Sequence, residues 1–297
     1  MLRYAYVAVG RALNKLREPD PWYGCGYTLN PYGGCEFSCP YCYDLAGRWG
    51  ARYRASLPLD AFSKGGAWEG RAEPKVFIKG NLIPVLRKEL RTKPRGTVFL
   101  GSATDPYQPC EATFKLTRRC LQLLWESRWP VEIGTKSDLI LRDLDLLSEI
   151  SSGGFCYVFI TITTLDRQLA RLLEPRAPSP DRRLEVIEAL SEHGIPVCAC
   201  VIPVFPGLTD GEEQIAEVAR AAREHGANRL LVGALTLPGE VRERFLKLIE
   251  ARFPDLLPLY GQLYGKKGYP KRDYEGRLKG IARKIREELG LLGELGT

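Results

Sequence analysis

The chain is short of several residue types. It has two histidines, His193 and His225, and one methionine in 297 residues, with few Asn or Gln. Neither histidine lies near the cysteine motif described below, so imidazole is left out of that motif's chemistry. The scarcity of Met, Asn and Gln, on an Arg-rich background, fits a hot-growth source. No apolar run is long enough to cross a membrane. The opening stretch MLRYAYVAVGRALNKLREPD has neither the apolar core nor the cleavage site of a secretion signal. The expectation is a cytoplasmic protein with no membrane partner. Beyond an alternation of strands and helices there is no internal repeat, and there is no low-complexity tract.

Cysteine runs against this scarcity. Nine cysteines, an odd number, are scattered through apolar runs (Cys120, Cys156, Cys198) as well as clustered. That pattern reads as thiols of a reducing compartment and not as a disulfide framework. Cys35, Cys39 and Cys42 stand as CxxxCxxC inside NPYGGCEFSCPYCYDLAGR (30–48). Three thiolates in so short a Gly/Pro-rich loop can wrap three corners of an iron–sulfur cube. Clusters of this kind normally take four cysteines, and no fourth follows closely. One iron would keep an open position, where a substrate or cofactor binds. The alternative is a structural zinc site completed by Cys25. The nine-residue gap from Cys25 to Cys35 suits the paired knuckles of such sites poorly.

The net charge of +7 is compatible with a polyanionic partner and also with an Arg-rich solvated surface. Hydrophobic and charged contents of 44% and 27% place the chain among soluble globular proteins. Residues 1–23 read as an extension ending in the breaker EPDPWYG. GYTLN is a strand candidate feeding the cysteine loop. YDLAGRWGARYRA reads as a helix that could close over the loop, and 56–74 as irregular. Strands are expected at 75–80, 96–102, 130–136, 155–163, 195–205 and 229–235. Helices are expected at 81–90, 114–127, 138–150, 166–173, 181–193, 210–226 and 238–253. Alternating elements with apolar, β-branched strands predict βαβ units and a parallel sheet covered on both faces. Six units suit an α/β fold, a partial (β/α)6 TIM-like barrel over 24–235, with a basic helical extension over 236–297.

Active sites of such barrels gather at the carboxyl ends of the strands. Thr104 and Asp105 follow the second expected strand in a turn-rich loop, GSATDPYQPCE. Lys136 ends the next, where a first helical turn disfavours a cation. Its ammonium there could pair with a carboxylate. Thr161 and Thr163 share a face at the end of the fourth. Glu174 and Arg176 lie in a Pro-bounded loop, and Asp210 reads as a helix N-cap. Cys198 and Cys200 share one strand face, as lumen filler or near the chemistry. In the extension, Tyr260, Tyr264, Tyr269 and Tyr274 interleave with Lys266, Lys267, Lys271 and Arg272, a pattern that could stack on and neutralise a nucleic acid.

NPYGGC…CPYCY, TDPYQP, LTRR, TKSDLILRDLDLL, LEPRAP and PVFPGLTD, in this order over about residues 24–210, resemble the spore-photoproduct-lyase-like group of the radical S-adenosylmethionine (SAM) superfamily. The resemblance implies a partial-barrel core and a [4Fe-4S] cluster on Cys35, Cys39 and Cys42. It implies SAM on the open iron, near Tyr43, Thr104, Asp105, Lys136 and Thr161 or Thr163. It also implies an external electron donor of flavodoxin or ferredoxin type, and a 5′-deoxyadenosyl radical that abstracts hydrogen from a substrate. By the resemblance that substrate is a nucleic acid, with a small molecule or peptide as the rival. Two departures stand out. Phe37 occupies a position that is commonly His in the group. Ala103 stands where true spore photoproduct lyases carry a hydrogen-donor cysteine, which leaves Cys110, seven residues on, as the candidate donor. A non-catalytic nucleic-acid-binding protein with a zinc or iron–sulfur site is the reading of another class.

Overall fold

Period-2 alternation decides which way each strand's side chains face, and the strands of this chain are apolar on both faces. In a computed structural model, which describes residues 4–46, 76–154 and 156–295, they pair accordingly. The strands are β1 (Tyr4–Val7), β2 (Leu13–Lys15), β3 (Tyr27–Leu29), β4 (Tyr32–Gly33), β5 (Val76–Lys79), β6 (Val98–Leu100), β7 (Val131–Thr135), β8 (Cys156–Thr161), β9 (Val197–Val204) and β10 (Arg229–Ala234). Seven form one sheet in the order β10-β9-β8-β7-β6-β3-β2. The six from β3 to β10 run parallel, and β2 closes the edge antiparallel to β3. This is the expected α/β partial barrel of six parallel strands.

One strand is elsewhere. Val76–Lys79, expected as a barrel strand, pairs parallel with β1 and antiparallel with β4 in a separate three-stranded sheet. The barrel still counts six because β3, just before the cysteine loop, takes the place beside β6. The N-terminal stretch thus contributes a strand to each sheet.

The helices of seven or more residues are α1 (Leu82–Thr92), α2 (Leu116–Glu126), α3 (Leu144–Ser152), α4 (Arg167–Leu173), α5 (Pro180–Glu192), α6 (Glu212–Glu224), α7 (Glu240–Arg252), α8 (Leu257–Leu263) and α9 (Arg272–Leu289). The outward residues Val98, Leu100, Val131, Ile133, Val158 and Ile160 pack with Leu86, Leu124, Leu147 and Ile187 of the helices in the main core. The alternate residues Phe99, Phe159, Cys198 and Cys200 face inward and cluster with Leu231 and Cys25. Burying each large apolar side chain stabilises the fold by roughly 1.5–3 kcal/mol.

α9 buries Tyr274, Leu278, Ile281, Ala282 and Ile285, spaced four, three, one and three apart, against β10 and α6. Three of the four tyrosines of the extension, Tyr260, Tyr264 and Tyr274, are core residues, and only Tyr269 among the four is exposed. A Tyr/Lys stacking platform is therefore not what most of these rings form. Asp210 is not a helix cap either. Gly211 is the N-cap of α6, while Asp210 accepts the Gly207 N–H at 2.8 Å and pairs with Arg277 at 2.6 Å. Of the expected aromatic and basic helix, Tyr43–Ala46 is one turn of 3-10 helix. The rest of that stretch and residues 56–74 lie outside the described residues.

Candidate active site: the cysteine loop at the barrel mouth

A loop of eight residues from Cys35 to Cys42 has too little regular structure to hold itself, so its backbone must be satisfied from outside. Thr104 donates its hydroxyl to the Gly34 carbonyl at 2.5 Å, and Gln108 Nε2 donates to both Gly34 O (3.2 Å) and Thr104 Oγ1 (2.8 Å). The Glu36 N–H donates to Gln108 Oε1 at 2.9 Å. The Glu36 carboxylate accepts the Cys110 N–H at 2.6 Å and the Tyr4 hydroxyl at 3.1 Å. At the far end the Cys42 N–H donates to Cys39 O at 3.1 Å. The Tyr41 hydroxyl donates to Glu174 and the Tyr43 hydroxyl to Ser102 O. The loop is thus clamped by the β6 loop, by β1 and by the end of α4.

So held, Cys35, Cys39 and Cys42 line one cavity of about 330 Å³ over the carboxyl ends of the strands. Thr104, Asp105, Lys136, Thr161 and Tyr43 line the same cavity, so five of the six residues expected near SAM are brought together. Thr163 is not among its lining residues. β8 ends at Thr161, and two residues on Thr163 is buried with its hydroxyl unpartnered. Gly101 makes the turn out of β6 possible. Its φ is +102°, and a Cβ there would stand 2.4 Å from the Gly134 carbonyl.

The lining residues differ in what they have left to offer. Asp105 is fully engaged: it accepts Thr135 Oγ1 (2.6 Å), the Tyr107 N–H (2.9 Å) and the Lys136 N–H (2.8 Å). It staples β6's loop to the end of β7. Thr104 is likewise spent on the loop. Lys136 Nζ lies 3.9 Å from Glu174 and 6.0 Å from the centre of the Tyr41 ring, with further donor capacity toward the cavity. Burial pushes the Cys39 thiol up to about 12, with Lys136 opposing. Burial also raises Cys35, with Asp105 and the thiols of Cys39 and Cys42 adding to it. Thiols whose ionisation burial makes this costly are relieved by a cationic metal group, which deprotonates a coordinating thiol.

Cys110 does not reach this cavity. It is 1% exposed in the core, beside Glu36 and Glu111, with burial raising its thiol far above the ordinary value. Cys25 does line the cavity, on the inner aromatic floor with Phe99 and Phe159. None of the nine cysteines is in a disulfide, and among the described residues no three His, Cys, Asp or Glu side chains are set to hold a single metal ion. Cys200 lines the cavity, with Cys198 Sγ 3.9 Å behind it.

Sequence reasoning missed Gln108, Glu36 and Arg183. Arg183 had a signal. It falls on the apolar stripe of α5 with Val186, Ile187 and Leu190, where a charge must find a partner.

An open parallel barrel carrying a three-cysteine loop over the carboxyl ends of its strands puts three thiols where barrel enzymes keep their active sites. The chain belongs to the Radical SAM superfamily, whose family model matches residues 29–219, and it is an enzyme of that superfamily. It is 33% identical to an uncharacterized protein of Mycobacterium tuberculosis over 255 residues, 85% of this chain and 71% of the other. It is 36% identical to an uncharacterized protein of Methanocaldococcus jannaschii over 194 residues, 65% of this chain and 66% of the other. Among solved structures it shares its fold with spore photoproduct lyase complexed with dinucleoside spore photoproduct. There the TM-score is 0.64 and the identity 15%, with 96% of this chain and 79% of that one covered. No helix among the described residues is long and apolar enough to cross a membrane.

Proposed function

We propose that Cys35, Cys39 and Cys42 hold a [4Fe-4S] cluster and that SAM occupies the cavity beside it, with hydrogen abstraction from a substrate as the reaction. The observation that carries this is the cavity itself, lined at once by the three motif thiols, the Lys136 ammonium and strand-end Thr161. When bound, cluster and SAM together supply a 5′-deoxyadenosyl radical once an external donor of flavodoxin or ferredoxin type delivers an electron. The protein's share is binding, orientation and shielding. Lys136 attracts the carboxylate of SAM. Thr161 offers a hydroxyl at the end of β8. Thr104, Gln108 and Glu36 keep the cysteine loop in register, and Asp105 fixes the backbone that carries Lys136.

The substrate we favour is a nucleic acid. The surplus of positive charge supports it, as does the fold shared with spore photoproduct lyase. Ala103 lines the cavity with a methyl group where that group's lyases carry a donor thiol. Reversal of a thymine lesion is therefore not part of the proposal.

Anaerobic reconstitution with iron and sulfide tests the cofactor assignment. The expected result is about four iron and four sulfide per chain, lost on Cys35→Ala. A chain that takes up one zinc and no sulfide would overturn it in favour of a structural site.

A further inference from the structure

Glu174 ends α4 and its side chain is completely buried. Its Oε1 accepts the hydroxyl of Tyr41 and stands 3.9 Å from Lys136 Nζ. Its Oε2 pairs with Arg183 Nη1 at 2.5 Å. Arg183, 2% exposed at its side chain, in turn donates to Thr161 O at 3.0 Å and to Pro178 O at 2.9 Å. A carboxylate and a guanidinium this dry are costly to bury, and an apolar pair would fill the space at least as well. What distinguishes the arrangement is where its arms lead. Tyr41 lies between Cys39 and Cys42, Lys136 follows β7 and Thr161 ends β8, and all three line the cavity.

We propose that Glu174 is a positioning residue of this centre: through Tyr41 it fixes the Cys39–Cys42 segment, and through Lys136 and Arg183 it fixes the ends of β7 and β8. The cysteine loop and the strand ends that line the same cavity are thereby set relative to one another before any ligand arrives. Groups held in place beforehand need no ordering when SAM binds, which strengthens binding without a new contact. The inference rests on the functional reading above.

Tyr41→Phe is the informative variant. It removes one hydroxyl and leaves Glu174 paired with Arg183 and Lys136, so no buried charge is stranded. Tyr260→Phe is the control. Tyr260 is equally buried and belongs to the same run of rings, Tyr41–Phe205–Phe245–Tyr260, but its hydroxyl has no hydrogen-bond partner. Wild type and both variants are reconstituted anaerobically. The readouts are iron content, the electron paramagnetic resonance (EPR) spectrum of the reduced cluster with and without SAM, and SAM affinity by equilibrium dialysis.

All three should load equal iron. Tyr41→Phe should raise the Kd for SAM roughly tenfold, as loss of a hydrogen bond to a charged group does, and should alter the spectral change that SAM induces. Tyr260→Phe should match wild type. A Tyr41→Phe protein with wild-type affinity and spectrum overturns the proposal, as does a Tyr260→Phe protein that shifts both equally. A wild-type cluster that ignores SAM instead fails the functional reading, and this inference with it.

Discussion

The hydroxyl of Thr104 donates to the carbonyl of Gly34 at 2.5 Å, across 70 residues of sequence, and both groups are buried beside the first cysteine of the motif. Thr104→Val keeps the shape and removes the donor. It leaves Gly34 O with the weaker Gln108 bond and Gln108 Nε2 without its 2.8 Å acceptor. We expect a loss of about 1–3 kcal/mol in denaturant unfolding. Iron retained after gel filtration should fall as well, because the loop loses its anchor.

Cys110 faces Glu36 and the core, so its thiol has no access to the cavity. Cys110→Ala should form 5′-deoxyadenosine at the wild-type rate, with only the stability loss of a small core truncation. A rate reduced tenfold or more at equal iron content would restore the sequence-based expectation that this cysteine takes part.

Much of this architecture is written locally. Apolar alternation marks β6 to β10, and the cysteine spacing marks the proposed metal ligands, because each is a short-range pattern. Pairing partners are not local. Val76–Lys79 reads as one more barrel strand, and only its register with Tyr4–Val7 and Tyr32–Gly33 puts it in the second sheet. Lys136, Thr104 and Asp105 were legible as strand-end residues. Their unequal duties were not, since Asp105 is engaged by Thr135 and Lys136, 30 and 31 residues away, and Thr104 by the Gly34 carbonyl, 70 residues away. The tie between Tyr41 and Glu174 spans 133 residues, and no periodicity encodes it.

Glu132 lies on β7 with one carboxylate oxygen buried and unpartnered. Burial, with Asp20 adding and Arg229 opposing, raises its pKa to about 8 from an ordinary 4.5. The folded chain therefore keeps a proton that the unfolded chain releases, and stability falls as pH rises from about 4.5 to about 8. Glu132→Gln has no such proton. Its stability relative to wild type should climb through that window and level off above it, measured by urea unfolding across the pH range. A difference independent of pH would contradict the assignment.

The most direct measurement is anaerobic. The reconstituted chain is given SAM and dithionite, and 5′-deoxyadenosine is assayed beside a Cys39→Ala protein. The account predicts nucleoside from the wild type and none from the variant, which lacks one of the three motif thiols lining the cavity. Equal amounts from both, or a fully loaded [4Fe-4S] cluster that neither binds nor cleaves SAM, would contradict it.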